Sequence, residues 1–254
     1  MEIIHLSSTV SVKTVSENER DGVFEVEGLF AGYGLTLGNA LRRALLSSLA
    51  GAAATEIKVK GVPHEFSTLP GLKEDIVELA LNFKKLRFKM HADEPQVLLL
   101  KVKGEQDVTA GDIELNSNVM LANPDEVIAH LTAKNAELEI EVKVERGLGY
   151  VPAEMRKTEG RLPIGTVALD AIFTPVQRVN YVIEDMRVGD RTDYNRLRIE
   201  ITTDGTISPS AALHKAANVL KDHFEKVSAI EVKEFEMPGN SAEPKKKGKK
   251  KKEE

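Results

Sequence analysis

One stretch of twenty residues constrains this chain more than any other part of it. It runs from Gly32 to Gly51 and reads G-Y-G-L-T-L-G-N-A-L-R-R-A-L-L-S-S-L-A-G. The glycines at its start predict a tight turn, and the residues from 36 to 50 predict a helix. Thr36 is the predicted N-cap, because its hydroxyl can accept a hydrogen bond from the first helical turn. Gly51 is predicted to end the helix in the left-handed conformation.

Both sides of this predicted helix carry apolar residues. At 3.6 residues per turn, one side holds Leu37, Leu41, Ala44, Leu45 and Ser48. The opposite side holds Asn39, Arg43 and Leu46. Two interpretations fit this pattern. The helix either lies in a core with one exposed leucine, which is common, or contacts partners on two sides.

The glycines of the stretch also imitate a dinucleotide-binding fingerprint. Their spacing, Gly32-x-Gly34-x-x-x-Gly38, is one residue too long for that fingerprint. The preceding residues, 23–27, alternate between apolar and charged, whereas a central parallel strand of such a fold is apolar on both faces. A nucleotide-binding enzyme is therefore an alternative, and a half-buried strand that turns into a helix is the favoured interpretation.

Composition and charge exclude several classes of protein. The 254 residues include no cysteine, which excludes disulfides, thiolate metal sites and thiol catalysis. The first residues lack the pattern of a signal peptide, and no apolar run is long enough to span a membrane, so we expect a cytoplasmic protein. The formal charge is −5, but residues 241–254 carry +4 and the remainder −9. The body should therefore not bind nucleic acid through bulk charge.

A second distinctive segment begins at His64 and reads H-E-F-S-T-L-P-G-L-K-E-D-I. An amphipathic helix of about three turns is predicted from its apolar positions Leu72, Ile76, Leu79 and Phe83. On their own, His64 and Glu65 could form a catalytic pair. No third group or metal-ligand spacing accompanies them, so the sequence predicts no catalytic residue, metal or cofactor.

Strands dominate the middle of the chain, and a helix follows near its end. Residues 97–102 are mostly apolar, and residues 138–145 alternate strictly, as in an antiparallel sheet with one wet face. Two more strands are predicted at 181–188 and 197–203. Ser208 and Pro209 are the predicted N-cap and first residue of the last helix. Its apolar positions have the spacing of helix-on-helix packing: Leu213, Ala217, Leu220, Phe224 and Val227.

Several of these segments together resemble one family. They are the stretch from Gly32, the segment from His64, R-G-L-G-Y-V-P-A at 146–153, R-T-D at 191–193 and D-G-T-I at 204–207. From about Val23 to Val227 the chain resembles the N-terminal assembly domain of bacterial RNA polymerase alpha subunits. The resemblance implies an α+β fold. It also implies that the helix at 36–50 lies in an alpha–alpha interface and presents residues to the beta subunit.

The resemblance further implies a split architecture. Residues 1–51 and 174–232 form a dimerisation domain of antiparallel sheet and two helices, and residues 52–173 form an inserted strand-rich domain. Residues 233–254, acidic and then basic, are predicted from their composition to form a disordered tail. The implied dimer-interface residues are Leu37, Leu41, Leu45, Leu213, Ala217, Leu220, Phe224 and Val227. The implied large-subunit contacts are Asn39, Arg43, Leu46, His64, Glu65, Ser67 and Arg191.

The function implied is that of a non-catalytic scaffold. Two copies dimerise and recruit the beta and beta′ subunits, and the resulting complex transcribes DNA into RNA. A nucleotide-binding enzyme and a stand-alone dimeric structural protein are the alternatives.

The C-terminal segment departs from the family pattern. Such subunits usually continue into a helical DNA-binding domain, whereas residues 245–252 here are almost all lysine. This tail is expected either to aid solubility or to contact nucleic acid without reading its sequence.

Overall fold

The computed structural model describes residues 9–155, 163 and 165–231, and this part of the chain is an α+β fold. Its helices are α1 Tyr33–Ser47, α2 Ile76–Phe83 and α3 Pro209–Ser228, with a 3-10 turn at Ala110–Asp112. The strands are β1 Ser11–Glu17, β2 Asp21–Leu29, β3 Ala50–Val59, β4 Phe88–Met90, β5 Gln96–Lys103, β6 Gln106–Thr109, β7 Ile113–Glu114, β8 Val119–Leu121, β9 Val127–Leu131, β10 Glu137–Leu148, β11 Tyr150–Val151, β12 Thr166–Ala168, β13 Ala171–Ile172, β14 Val176–Val188 and β15 Arg191–Thr203.

The strands pair in an antiparallel manner throughout the described residues. A four-stranded sheet has the order β1-β2-β15-β14, and a larger sheet has the order β7-β5-β10-β3-β4-β8, with β12 also paired to β3. The pairs β11–β13 and β6–β9 form two small sheets. The predicted α+β class with antiparallel sheets is confirmed. These strands do not form the parallel sheet of a dinucleotide-binding fold.

The four-stranded sheet packs its apolar face against α1 and α3. Alternation along β2 buries Phe24 and Val26, as the sequence predicted for this strand. They form one core cluster with Leu197 and Ile199 of β15 and with Ala212 of α3. This core therefore joins an early segment of the chain to a late one.

Helix α1 begins earlier than the sequence pattern suggested. Gly32 has a φ of 85° and is the N-cap residue, so Thr36 lies inside the helix and is not its cap. At the other end Ser48 is the C-cap, and its N–H donates to the Ala44 carbonyl at 2.9 Å. Gly51 lies in β3, so the prediction that it ends the helix was wrong. Only glycine adopts the conformation of residue 32 without strain, and this sets the position of the turn.

Two glycines inside α1 bring the helix close to the sheet. A Cβ atom at Gly38 would lie 3.0 Å from side-chain atoms of both Leu197 and Tyr181. A Cβ atom at Gly34 would lie 3.0 Å from the Ile183 side chain. Close helix–sheet packing therefore accounts for the glycine spacing that imitates a nucleotide-binding fingerprint.

The larger sheet has its own core, centred on α2. Ile76, Leu79 and Phe83 are fully buried and pack in one cluster with strand residues such as Ile140. The helix is shorter than the predicted three turns and starts after Asp75, whose side chain accepts from the Glu78 N–H at 2.7 Å. The residues before the helix form a loop, in which the Leu72 N–H donates to the Leu69 carbonyl at 3.2 Å.

A small cluster lies where the chain passes between the two sheets. It consists of Ala53, Ala171 and Phe173, with Val151 partly buried against it. The backbone of Gly51 runs so close to Phe173 that a Cβ atom on Gly51 would lie 1.9 Å from the Phe173 carbonyl oxygen. This is a backbone contact, so a side chain here would have to separate two chain segments.

We therefore expect Gly51→Ala to destabilise the protein by about 1–3 kcal/mol, the usual cost of overpacking. For a chain of this size the melting temperature should fall by about 2–12 °C. Gly111→Ala is the matched control, because its Cβ atom would make only an ordinary contact at 3.4 Å and its φ is not positive. Equal melting temperatures for the two variants would contradict this reading of the junction.

The last helix has the predicted cap but exposes part of its predicted seam. Ser208 is the N-cap and Pro209 the first helical residue, as expected. Ala212 and Ala216 are the fully buried positions, while Leu213 and Leu220 are only partly buried. Of the predicted seam, Leu213 and Leu220 thus pack partly against the core, whereas Ala217, Phe224 and Val227 are exposed.

None of the helices among the described residues is both long and apolar enough to cross a membrane. The predicted acidic-then-basic tail at 233–254 lies outside the described residues.

Candidate functional site

The C-terminal end of α3 presents an exposed apolar surface. Phe224, Val227 and Ile230 have 65%, 69% and 74% of their surface exposed. Phe224 and Val227 are three residues apart on one side of the helix. Neighbouring large apolar side chains that stay exposed are typical of an interaction site. We call these three residues the α3 apolar end.

The other residues predicted for a dimer interface differ in the exposed fraction of their side chains. Leu41 and Leu45 are 5% and 0% exposed and belong to the core of one protomer, so their assignment to an interface is corrected. The helical spacing of apolar residues could not separate the two cases, because the core cluster that buries these leucines includes residues from distant parts of the sequence, such as Val179 and Ala212. The predicted residues with surface still available are Leu37, Leu213, Ala217, Leu220, Phe224 and Val227.

The predicted large-subunit residues of α1 have three different environments. Arg43 is exposed, and its guanidinium forms no ion pair within the described residues. Asn39 is exposed but accepts a hydrogen bond from the Tyr181 hydroxyl at 2.9 Å. Leu46 is half-buried against the core cluster, so it also serves the fold, contrary to the interpretation that it faces only a partner. Arg43 is the residue of this set most available to a partner.

The segment at His64 forms a tight surface turn. The Ser67 N–H donates to the His64 carbonyl at 3.2 Å, and the Ser67 hydroxyl lies 3.1 Å from His64 Nδ1. Glu65 is half-buried beside them. Phe66, between them, is 78% exposed, which is unusual for a large aromatic side chain. Exposed aromatic residues of this kind often anchor protein–protein contacts.

The turn shows no arrangement suited to catalysis or metal binding. Across the described ranges, no three His, Cys, Asp or Glu side chains form a group that could hold a metal ion. The hydroxyl contact of His64 with Ser67 is fully at the surface, where water would compete with any proton transfer. A role in contacting another macromolecule fits this geometry better.

Arg191 is held rigidly at the end of the four-stranded sheet. Its guanidinium donates two hydrogen bonds to the Asp193 carboxylate, at 3.0 and 2.6 Å. It also lies over the rings of Phe30 and Tyr194, 4.9 and 5.4 Å from their centroids. The hydrogen bonds to Asp193 raise the pKa of Arg191 above its ordinary value and lower that of Asp193. The side chain is thus oriented before any partner binds.

A hydrogen-bonded pair, Glu74 and His130, fixes the segment that follows the turn at His64. Glu74 accepts from the backbone N–H of His130 at 2.8 Å, and its other carboxylate oxygen contacts the His130 ring. Burial raises the pKa of Glu74, but the hydrogen bonds from His130 outweigh burial and leave the pKa below its usual value. These contacts tie the residues before α2 to strand β9.

The predicted large-subunit residues therefore fall in three places. Asn39, Arg43 and Leu46 lie on α1, and Arg191 lies near the start of that helix, since the Tyr33 N–H donates to the carbonyl of its ring partner Phe30 at 2.9 Å. The turn at His64 lies on the larger sheet's side of the chain.

Sequence reasoning did not single out Phe66 or Ile230. The signal for Phe66 was a large aromatic residue inside a polar, proline-flanked segment.

Comparisons with known proteins point to one family. Residues 56–174 match the family model described as the RNA polymerase Rpb3/RpoA insert domain. A DNA-directed RNA polymerase subunit alpha from Symbiobacterium thermophilum is 50% identical over 216 residues, covering 85% of this chain and 68% of that protein. The corresponding subunit from Roseiflexus sp. is 47% identical over 233 residues, covering 92% and 70%. That from Carboxydothermus hydrogenoformans is 49% identical over 214 residues, covering 84% and 68%.

Proposed function

The chain belongs to the family of DNA-directed RNA polymerase alpha subunits, and from this premise we propose that it acts as the homodimeric scaffold on which the beta and beta′ subunits assemble. The enzyme of which such a subunit is part transcribes DNA into RNA. The observation that carries the proposal is the α3 apolar end, because three large side chains with 65–74% exposure need a covering partner. A second copy of the chain supplies that cover.

The proposed dimer is built from surface residues of α1 and α3. Leu37, Leu213 and Leu220 are partly buried against the core cluster, so each retains some apolar surface for the interface in addition to Phe224 and Val227. A two-fold axis would place every one of these residues in the interface twice. Arg43 is exposed on the side of α1 opposite the buried Leu41 and Leu45, and in this proposal it is kept for a different partner.

The proposed contacts to the large subunits lie elsewhere on the surface. Arg43, the turn at His64 with Phe66, and Arg191 offer two cations and an exposed aromatic ring. Arginine and aromatic residues are the types that most often dominate the energy of protein interfaces. The rigid orientation of Arg191 by Asp193 lowers the entropy cost of such a contact.

We also propose that the chain has the split organisation expected from the sequence. Residues 1–51 with 174–232 form the dimerisation domain, and residues 52–173 form the insert. Two separate core clusters support this division, one with Phe24 and Ile199, the other with Ile57 and Ile140. The matched insert-domain model, at 56–174, covers nearly the same span. A cytoplasmic location goes with this function.

The proposal is tested by co-expressing the chain with beta and beta′ and measuring the mass of the purified complex. Two copies of this chain in a complex with one copy of each large subunit are expected. A purified dimer that captures neither large subunit would favour the stand-alone structural protein instead. A monomer that carries bound nucleotide would favour the enzyme alternative.

The Lys-rich tail at 245–252 is proposed to contact DNA, on the basis of sequence alone. Each phosphate contact on duplex DNA changes the slope of log K against log salt by about 0.9, so three or four contacts would change it by about 3. Polymerase assembled with residues 241–254 deleted should bind DNA less tightly at low salt, with unchanged sequence preference. An identical salt slope with and without the tail would leave solubility as its role.

A further inference from the structure

A cleft of about 600 Å³ lies between the two sheets. One wall comes from the β1–β2 turn and the start of α3, with Arg20 and Lys215. The other wall comes from β4 and β10, with Lys89 and Arg146. Glu19 is the single carboxylate among its lining residues. Four cations thus face one space in a chain whose body is strongly acidic.

Three of these cations have no acidic partner. Within 9–155, 163 and 165–231, Arg146 pairs with Asp93 at 2.6 Å, whereas Arg20, Lys89 and Lys215 form no ion pair. Arg20 reaches only the backbone carbonyl of Ala122, at 3.5 Å. All three side chains are exposed to solvent, and Lys89 and Lys215 make no side-chain hydrogen bond among the described residues.

On the outer face of the larger sheet, lysines form ion pairs with glutamates of the neighbouring strand. There Lys60 pairs with Glu139 at 2.7 Å, and Lys58 pairs with Glu141 at 3.2 Å. Glu139 also lies 3.7 Å from Lys101, so the lysines of this face have acidic partners on neighbouring strands. The cleft instead gathers four cations beside the carboxylate of Glu19, and this local excess of positive charge suggests an anionic partner from outside.

We propose that this cleft binds an acidic polypeptide segment of one of the large polymerase subunits, an inference that rests on the proposed assembly function. The cleft has apolar as well as charged lining, including Met90, Pro175 and Ile207. Mixed lining of this kind suits the side chains and backbone of a polypeptide. A nucleic acid duplex fits less well, because the acidic body around the cleft repels a long polyanion.

The anion-binding capacity of the cleft comes from side chains and not from the helix terminus. The N–H groups in the first turn of α3 lie at the edge of the cleft. One of them, the Ser210 N–H, already donates to the Glu17 carboxylate at 2.8 Å. Ser208 caps the same turn. Complementary charge across an interface mainly determines specificity and the rate of association, so the segment would guide the docking of its subunit.

The direct test replaces Lys89 by the photo-crosslinking residue benzoylphenylalanine in polymerase assembled with beta and beta′. Mass spectrometry should identify a crosslinked beta or beta′ peptide rich in Asp and Glu. A crosslink to nucleic acid, a crosslink to a peptide without acidic residues, or no crosslink would each overturn the proposal.

A second measurement uses charge reversal. The double variant Lys89→Glu, Lys215→Glu should capture the large subunit at least about tenfold less well, because like charges then face each other. Lys134→Glu, at an exposed lysine away from the cleft, should capture normally. Normal capture by the double variant overturns the cleft proposal alone. Failure of the unaltered chain to capture any large subunit overturns the proposed function, and this proposal with it.

Discussion

Arg43→Ala is expected to abolish most of the capture of a large subunit while leaving the dimer intact. Arg43 is exposed and makes no ion pair in the described part of the chain, so its removal costs the fold little. Surface substitutions of this kind change the free energy of unfolding by about 0.5 kcal/mol or less. An arginine at the centre of an interface commonly contributes 2 kcal/mol or more, which is about a 30-fold loss of affinity.

Arg42→Ala is the matched control for this experiment. Arg42 is equally exposed and adjacent, but it points about 100° away around the helix. Capture is measured by co-purification with beta, and dimer stability by thermal unfolding at fixed protein concentration. Equal losses of capture for the two variants, or a strongly destabilised Arg43→Ala dimer, would contradict the assignment.

Phe224→Asp is expected to convert the proposed dimer into a monomer. Burying a phenylalanine contributes about 1.5–3 kcal/mol, and two-fold symmetry doubles the loss. The dimer should therefore lose about 3–6 kcal/mol, which raises the dissociation constant by more than 100-fold. Phe224 is 65% exposed in one protomer, so the secondary structure of the monomer should not change. Sedimentation velocity and circular dichroism measure the two effects separately.

Asn218→Asp tests whether any acid on α3 would have the same effect. Asn218 is exposed on another side of the same helix, where its side chain contacts His214. This variant should remain a dimer. A stable Phe224→Asp dimer would remove the α3 apolar end from the interface and require another surface for self-association.

Local sequence patterns predicted most of the individual elements. The alternation at 23–27 and at 138–145 appears as β2 and β10, and Ser208 followed by Pro209 starts α3 as expected. In each case the pattern and its physical cause lie within a few residues. The sequence alone was therefore enough to predict these elements.

Predictions that depended on distant parts of the chain were less accurate. Gly38 indicated a turn from the sequence alone, but its role is to let α1 approach Tyr181, some 140 residues later. Leu45 belongs to an apolar stripe that could face a partner, but it is buried within the chain in a core cluster that includes residues of β14, β15 and α3. The cleft could not be predicted at all, since Arg20, Lys89 and Lys215 converge only in the folded chain.

The pairing of β2 with β15 has a consequence for how the chain is made. Leu29 lies opposite Asn195, so the four-stranded sheet cannot form until residues beyond about 200 have left the ribosome. At about 5–20 residues per second, β2 waits roughly 8–30 s for its neighbour. The larger sheet is complete in sequence before then and can fold first. Helix α3 is the last of the described elements, so the proposed self-association through it could begin only after residues up to about 228 have been synthesised.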